Sequence, residues 1–203
     1  MVKCDPISEL WFWFATNAEV IRDAYNRCDE RWLESEISPR IEQITEDMSW
    51  EIGPYGHPHE VFVLSPTTRA NLPVARRVVA AAPTLEGWRF LAAKPPKELL
   101  SLEFLAVGVS INADHWRYQL TAYNNGAFVD IEILFDQASA PPGEHVHLFC
   151  ELVVEALIGE EIRLERVGYI TPKIVDDASA IEKITPISYL RRHLEQILAP
   201  RAS

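Results

Sequence analysis

The chain has 203 residues, of which 48% are hydrophobic and 24% charged, a composition typical of a globular domain and not of a disordered or collagen-like chain. Its formal net charge is −11, and residues 1–60 alone hold 13 acidic and 5 basic residues, a net charge of −8. This charge disfavours nucleic acid and anionic membranes as partners. No apolar run approaches the ~20 residues of a membrane helix.

The cysteines indicate a reduced compartment. Cys4, Cys28 and Cys150 are odd in number and widely spaced, and no C-x-x-C occurs. Cys28 and Cys150 lie in apolar-periodic segments, so we expect both to be buried and all three thiols to be free. The N-terminal residues leave no room for a signal peptide. We therefore expect a cytoplasmic protein.

The N-terminal segment, about 5–48, is predicted to be helical. Asp5-Pro6 is typical of a helix start, and a short helix follows through Phe14. The capping-box pattern Thr16-Asn17-Ala18-Glu19 predicts a second helix. Its inward face has spacings of 3 and 4 and comprises Ala18, Ile21, Tyr25, Cys28 and Trp32. Ser38-Pro39 predicts the start of a third helix.

The first half of the remaining chain, 49–93, is predicted to alternate strands with a helix. Residues 49–53 and 60–65 have strand patterns, the second apolar on both faces. Asn71 precedes a helical pattern that Pro83 ends, and 87–93 forms the next strand. This order predicts a parallel crossover. Trp88 lies in a strand that we expect to be central, and we expect it to anchor the core.

The second half, 101–170, opens with the segment 101–111, which is apolar and in part β-branched. Asn125-Gly126 between 117–124 and 127–135 is a type I′ hairpin signature. The resulting register places Leu120 opposite Ile131 and sorts apolar from polar residues. A helix follows from Val146 and ends at Gly159, a strand covers 162–170, and a closing helix covers 186–198.

Both halves therefore contain a strand, a strand, a helix and a strand. The segment from Lys94 to Lys97 is too short for a linker. We predict a single α+β domain over 1–203, with a mixed sheet, N-terminal helices and a C-terminal helix.

No standard catalytic fingerprint occurs, whether of a nucleotide-binding loop, a nucleophile elbow or a zinc protease. His57 and His59 flank Pro58 in a loop, where an extended backbone would point both imidazoles the same way, as two metal ligands require. Because no third ligand is close in sequence, we expect no metal and no cofactor. His145 and His147 fall at a helix start, where residues two apart point in different directions and cannot chelate one ion.

Aromatic residues offer a binding surface. Trp11 and Trp13 are two apart, so they cannot share one helix face, and at least one is expected to be incompletely buried. With Asn17 they are candidate binding residues. Arg89 and Lys94 belong to a basic window, residues 61–100, with a net charge of +4. This window is either an anion site or a solvated face.

Three motifs carry a resemblance to a known family. They are Trp11-x-Trp13-Phe14-x-x-Asn17, then Ala82-Pro83-x-Leu85-x-Gly87-Trp88, and finally Leu157-x-Gly159-Glu160. Together, over roughly residues 10–170, the chain resembles an uncharacterised bacterial domain family of small cytoplasmic proteins. The resemblance implies a fold and a lineage, and it implies no reaction and no functional residue.

The leading hypothesis is a non-catalytic module that binds another protein, with an immunity- or antitoxin-like role towards a basic partner. Acidity, N-terminal aromatic residues and the lack of a catalytic fingerprint support it. The alternative is a small metal-dependent hydrolase that uses His57, His59 and a carboxylate. A homo-oligomeric structural protein is a third hypothesis.

Overall fold

A computed structural model of the chain describes residues 5–55, 59–97, 101–104, 109–141, 143–176 and 183–198. The fold is α+β, as predicted, with helices and two small mixed sheets. Contacts divide the chain into two compact units, Met1–Pro95 and Pro96–Ser203. The division falls within the short segment from Lys94 to Lys97, and a single domain stays a prediction. Among the helices described, none has the length and apolar character needed to cross a membrane.

The described part of the N-terminal unit contains a three-stranded sheet and three helices. Its elements are α1 (Pro6–Asn26), α2 (Glu30–Glu42), β1 (Ser49–Gly53), β2 (Glu60–Ser65), α3 (Leu72–Ala80) and β3 (Trp88–Leu91). Strand β2 lies in the middle, antiparallel to β1 and parallel to β3. The predicted parallel crossover through α3 is therefore confirmed.

Helix α1 is continuous, so the predicted break at Thr16 is wrong. The Asp5 side chain caps the helix by accepting a hydrogen bond from the Ser8 amide at 3.3 Å. The Thr16 hydroxyl caps nothing and donates to the Phe12 carbonyl at 2.8 Å. Because no glycine or proline interrupts the chain after Pro6, one buried stripe continues from Leu10 to Ala24.

The turn after α1 also differs from the prediction. Cys28 has a φ of 55° and is exposed, so it is not on the buried helix face. The next residue, Asp29, caps α2 by accepting from the Trp32 amide at 3.2 Å. Pro39 lies inside α2 and does not start a helix, because the Ser38 hydroxyl is bonded to Glu34 and does not cap a new turn.

The core of the N-terminal unit is aromatic. The Phe14 ring of α1 makes edge-on contacts with Phe62 at 5.1 Å, Trp88 at 5.0 Å and Phe90 at 5.3 Å between centroids. Trp88 is 7% exposed, as its core role predicts. Its strand β3 lies at an edge of the sheet and not at the centre, so that part of the prediction is wrong. Trp88 is buried there because α1 covers it.

Within the residues described, the C-terminal unit contains two sheets and three helices. Its elements are β4 (Ser101–Phe104), β5 (Val109–Asn112), β6 (Arg117–Tyr123), β7 (Phe128–Phe135), α4 (Val146–Ile158), α5 (Glu160–Arg166), β8 (Val167–Ile174) and α6 (Leu190–Leu198). Strand β7 is antiparallel to β6 and parallel to β8. Strands β4 and β5 form an antiparallel pair.

The β6–β7 hairpin confirms the prediction. Leu120 pairs with Ile131 in the predicted register. Asn125 and Gly126 have φ values of 58° and 84°, the positive values that a type I′ turn requires. Tyr118, on the same face as Leu120, is buried in the core.

The chain after α4 differs from the predicted strand over 162–170. Gly159, with a φ of 83°, ends α4 as predicted, but a second helix, α5, follows at once. Acidic Glu160 and Glu161 lie in its first turn and basic Arg163 and Arg166 in its last, which suits the helix dipole. The strand β8 therefore starts only after Arg166. The closing helix is confirmed as a short 3-10 turn followed by α6.

Gly168 in β8 allows a close contact that a larger residue would prevent. A Cβ atom at this position would overlap the Tyr123 hydroxyl and lie 2.5 Å from Asp130 Oδ1. Asp130 Oδ1 also accepts a hydrogen bond from the Tyr169 amide at 3.0 Å. By contrast, nothing lies within 4 Å of a Cβ built on Gly143.

Candidate protein-binding face of helix α1

The outward face of α1 carries a large exposed aromatic side chain. Phe12, Thr16, Glu19 and Asp23 follow spacings of four, three and four residues, so they share one side of the helix. This side lies opposite the buried stripe. Phe12 is 78% exposed although its neighbour Trp11 is 4% exposed. The helix therefore presents a ring that the core does not use.

Val20 extends the apolar part of this face. It is 48% exposed and lies eight residues after Phe12, about 12 Å along the helix axis. We call the set of Phe12, Thr16, Glu19, Val20 and Asp23 the outward face of α1. Helices dock in a partner's groove through apolar side chains along one side, and Phe12 and Val20 are two such side chains about two turns apart.

Acidic side chains surround these apolar ones. Glu19 forms an ion pair with Arg22 at 2.7 Å, and Arg22 also pairs with Glu60 at 3.2 Å. Within the part of the chain that the structure describes, neither Glu9 nor Asp23 forms an ion pair. The outward face therefore has a net negative charge.

Trp11, a predicted binding residue, is part of the core. Its indole Nε1 donates to the Val78 carbonyl at 2.7 Å, and its ring contacts Phe90 edge-on at 4.7 Å. These contacts account for Trp11 without any partner. Trp13 is half-buried, which agrees with the prediction that at least one of the two tryptophans is incompletely buried. The Arg40 guanidinium lies 4.0 Å from the centre of the Trp13 ring. Asn17 donates from Nδ2 to the Trp13 carbonyl at 2.8 Å.

The other predicted residues lie elsewhere. Arg89 is exposed and alternates with Trp88 and Phe90 along β3, so it lies on the sheet face opposite to theirs. Lys94 is half-buried after β3. The structure therefore does not bring the predicted binding residues to one surface, and their binding role stays a prediction.

The predicted histidine pair is only partly described. His59 is exposed immediately before β2, and His57 lies outside the described residues. Among the residues described, no three His, Cys, Asp or Glu side chains are grouped so as to hold a metal ion. His145 is the residue before α4 and His147 lies in its first turn, so the predicted helical start is confirmed. The metal-dependent alternative stays a prediction.

Sequence reasoning missed Phe12 because it divided α1 into two helices. With a break near Phe14, the residues before and after Thr16 could not be placed on one helical face. A single 21-residue helix fixes the direction of every side chain, and Phe12 then falls opposite Ile21. The available signal was the apolar stripe that continues across Thr16.

Comparisons with known proteins found no match to this chain. No family model matches the chain, no curated protein matches it, and no solved structure matches it. The resemblance to an uncharacterised bacterial family thus stays a prediction, and function is argued from the chain itself.

Proposed function

We propose that the protein is a non-catalytic protein-binding module that docks the outward face of α1 onto a basic partner protein. The observation that carries the proposal is Phe12, which is 78% exposed in the middle of a well-packed helix. Aromatic residues contribute most to protein interfaces when a partner buries them. Val20 supplies a second apolar contact on the same side.

The charge of the face selects the partner's chemistry. Glu9, Glu19 and Asp23 surround the apolar residues, and residues 1–60 have a net charge of −8. A partner with an apolar groove and a basic rim would be attracted at long range and then held by the two apolar anchors. An antitoxin- or immunity-like role, in which this chain neutralises a basic protein, has this chemistry.

Site-specific photocrosslinking tests the proposal. A benzoylphenylalanine residue replaces Phe12 in one protein and Leu148 in another, in the cells that express the chain. Leu148 is a matched control, because it is an apolar helical residue in α4 that is 52% exposed. We expect crosslinks to one basic protein from position 12 and not from position 148.

The binding is then reconstructed from purified components. Phe12→Ala is expected to weaken the measured affinity at least tenfold, a typical effect for a buried aromatic anchor, and Leu148→Ala to leave it unchanged. Added salt is expected to slow association. Equal crosslinking from both positions, or crosslinking only to a second copy of this chain, would contradict the proposal.

The metal-dependent hydrolase is the competing proposal, and it rests on His57 and His59. Elemental analysis of the tag-free protein separates the two. Stoichiometric zinc or nickel that is lost in the His57→Ala, His59→Ala double variant would favour the hydrolase.

A further inference from the structure

A cleft in the C-terminal unit lies between the end of β5 and the loop that follows β7. Its volume is about 440 Å³, within the range of small-molecule sites. Among its described lining residues, five carry polar side chains, namely Ser110, Asn112, His115, Asp136 and Ser139, and the others are apolar. The cleft belongs to a different unit from α1 and has no part in the proposed docking.

The wall of the cleft that carries Asp136 is fixed by hydrogen bonds. Asp136 Oδ1 accepts from the Ser139 amide at 2.8 Å and from the Ser139 hydroxyl at 2.7 Å. The Ser139 carbonyl accepts from the indole of Trp116 at 3.1 Å, and Trp116 is fully buried against Phe135. The carboxylate is therefore held in place before any ligand arrives.

The cleft carries a fixed carboxylate. Hydrogen bonds from the side chain and the amide of Ser139 hold the pKa of Asp136 below its ordinary value, and the nearby His115 acts in the same direction. Among the described residues that line the cleft, Asp136 is the only Asp, Glu, Lys or Arg, and His115 is a further ionisable group. A cation that enters the cleft therefore meets one fixed carboxylate.

The remaining polar groups retain hydrogen-bonding capacity. Among the described residues, neither the His115 imidazole nor the Ser110 hydroxyl has a hydrogen-bond partner. Asn112 accepts from the Asp114 amide through Oδ1 at 2.9 Å, which leaves its NH₂ group for other acceptors. These groups line the same cleft as the carboxylate and can orient a polar ligand.

Two other uses of the cleft fit the geometry less well. The Ser139 hydroxyl bonds to Asp136 and not to His115 within the described residues, so the three do not form a nucleophile with its base. The described lining residues also supply one carboxylate, whereas a hard metal ion takes several oxygen ligands.

We infer that this cleft binds a small organic cation, a primary amine that also carries a hydroxyl group. The ammonium group lies against the Asp136 carboxylate, and the hydroxyl group bonds with His115, Asn112 or Ser110. Ammonium and carboxylate form a charge-assisted hydrogen bond, which is stronger than a neutral one.

The test uses matched probes on the full chain. Ethanolamine and 3-aminopropanol are titrated alongside ethylene glycol, propane-1,3-diol and glycolate, which lack the amine. The readout is the NMR shift of the Ser139 amide and the Trp116 indole N–H. We expect saturable shifts with the amines and none with the diols or glycolate.

A pair of variants connects the effect to Asp136. Asp136→Asn removes the charge but retains an oxygen that Ser139 can bond, so the loop is expected to remain folded. It is expected to raise the dissociation constant of the amines at least about tenfold. Asp114→Asn removes an equal charge from an exposed neighbour that does not line the cleft, and is expected to have no effect. Shifts that do not saturate, or that survive unchanged in Asp136→Asn, would overturn the inference.

Discussion

Trp11 and Phe12 are adjacent in sequence and have opposite environments, so their alanine variants are predicted to behave in opposite ways. Trp11→Ala removes a ring that is 4% exposed and packed on Phe14 and Phe90. Phe12→Ala removes a ring that is 78% exposed. Comparing the two variants therefore distinguishes Trp11, which packs in the core, from Phe12, which is exposed to a partner.

The cost of Trp11→Ala follows from its contacts. A buried tryptophan removes about 200 Å² from water, and large aromatic to alanine changes in cores cost about 3–5 kcal/mol. The lost hydrogen bond to the Val78 carbonyl adds only about 1 kcal/mol, because that carbonyl also accepts from the Ala81 amide at 3.1 Å. We expect a total of about 4–6 kcal/mol.

Urea unfolding followed by circular dichroism measures this cost. With a slope of about 2 kcal/mol/M, the midpoint of Trp11→Ala should fall by about 2–3 M with the slope little changed. Phe12→Ala should stay within about 0.5 kcal/mol of the parent, as exposed substitutions usually do. A Trp11→Ala midpoint equal to that of the parent would refute the core assignment and restore Trp11 as a binding candidate.

Three further predictions concern glycines, thiols and pH. Gly168→Ala should cost about 1 kcal/mol by displacing a hydrogen-bonded carboxylate, whereas Gly143→Ala, with open space around it, should be neutral in the same urea assay. Burial raises the pKa of the Cys150 thiol to about 12. Ellman's reagent should therefore modify exposed Cys28 in the folded protein and reach Cys150 only on unfolding. Equal rates of modification at Cys28 and Cys150 would contradict the burial of Cys150. Because the pKa of Asp136 is lowered on folding, its ionised form adds stability above pH ~4 that is lost as the pH falls through its folded pKa. The stability difference between the parent and Asp136→Ala should therefore shrink in acid, and a difference that is constant with pH would refute that role.

The hairpin and the α+β class were predictable from the sequence because their signals are local. Asn125-Gly126 fixes the turn, and the register then follows from alternation, which pairs Leu120 with Ile131. Gly159 likewise marks the end of α4, since it adopts a φ of 83°.

The boundaries that failed depended on contacts between distant residues. Thr16 matches a capping box, but the buried stripe of α1 packs as one surface, and this tertiary packing outweighs the local signal. The prediction of a strand from residue 162 was wrong for a related reason. Leu164 is buried, as a strand would also require, but it lies in helix α5.

The candidate sites needed the tertiary structure for the same physical reason. Composition and charge determined that the chain is acidic and rich in aromatic residues, and motif searches found no catalytic fingerprint. They did not decide which aromatic residue faces outward, because that depends on the rotation of α1 against the sheet, which places Trp11 inside and Phe12 outside. They also gave no reason to associate His115 with Asp136, 21 positions apart, because only the folded β-sheet and its loops bring the two to one cleft.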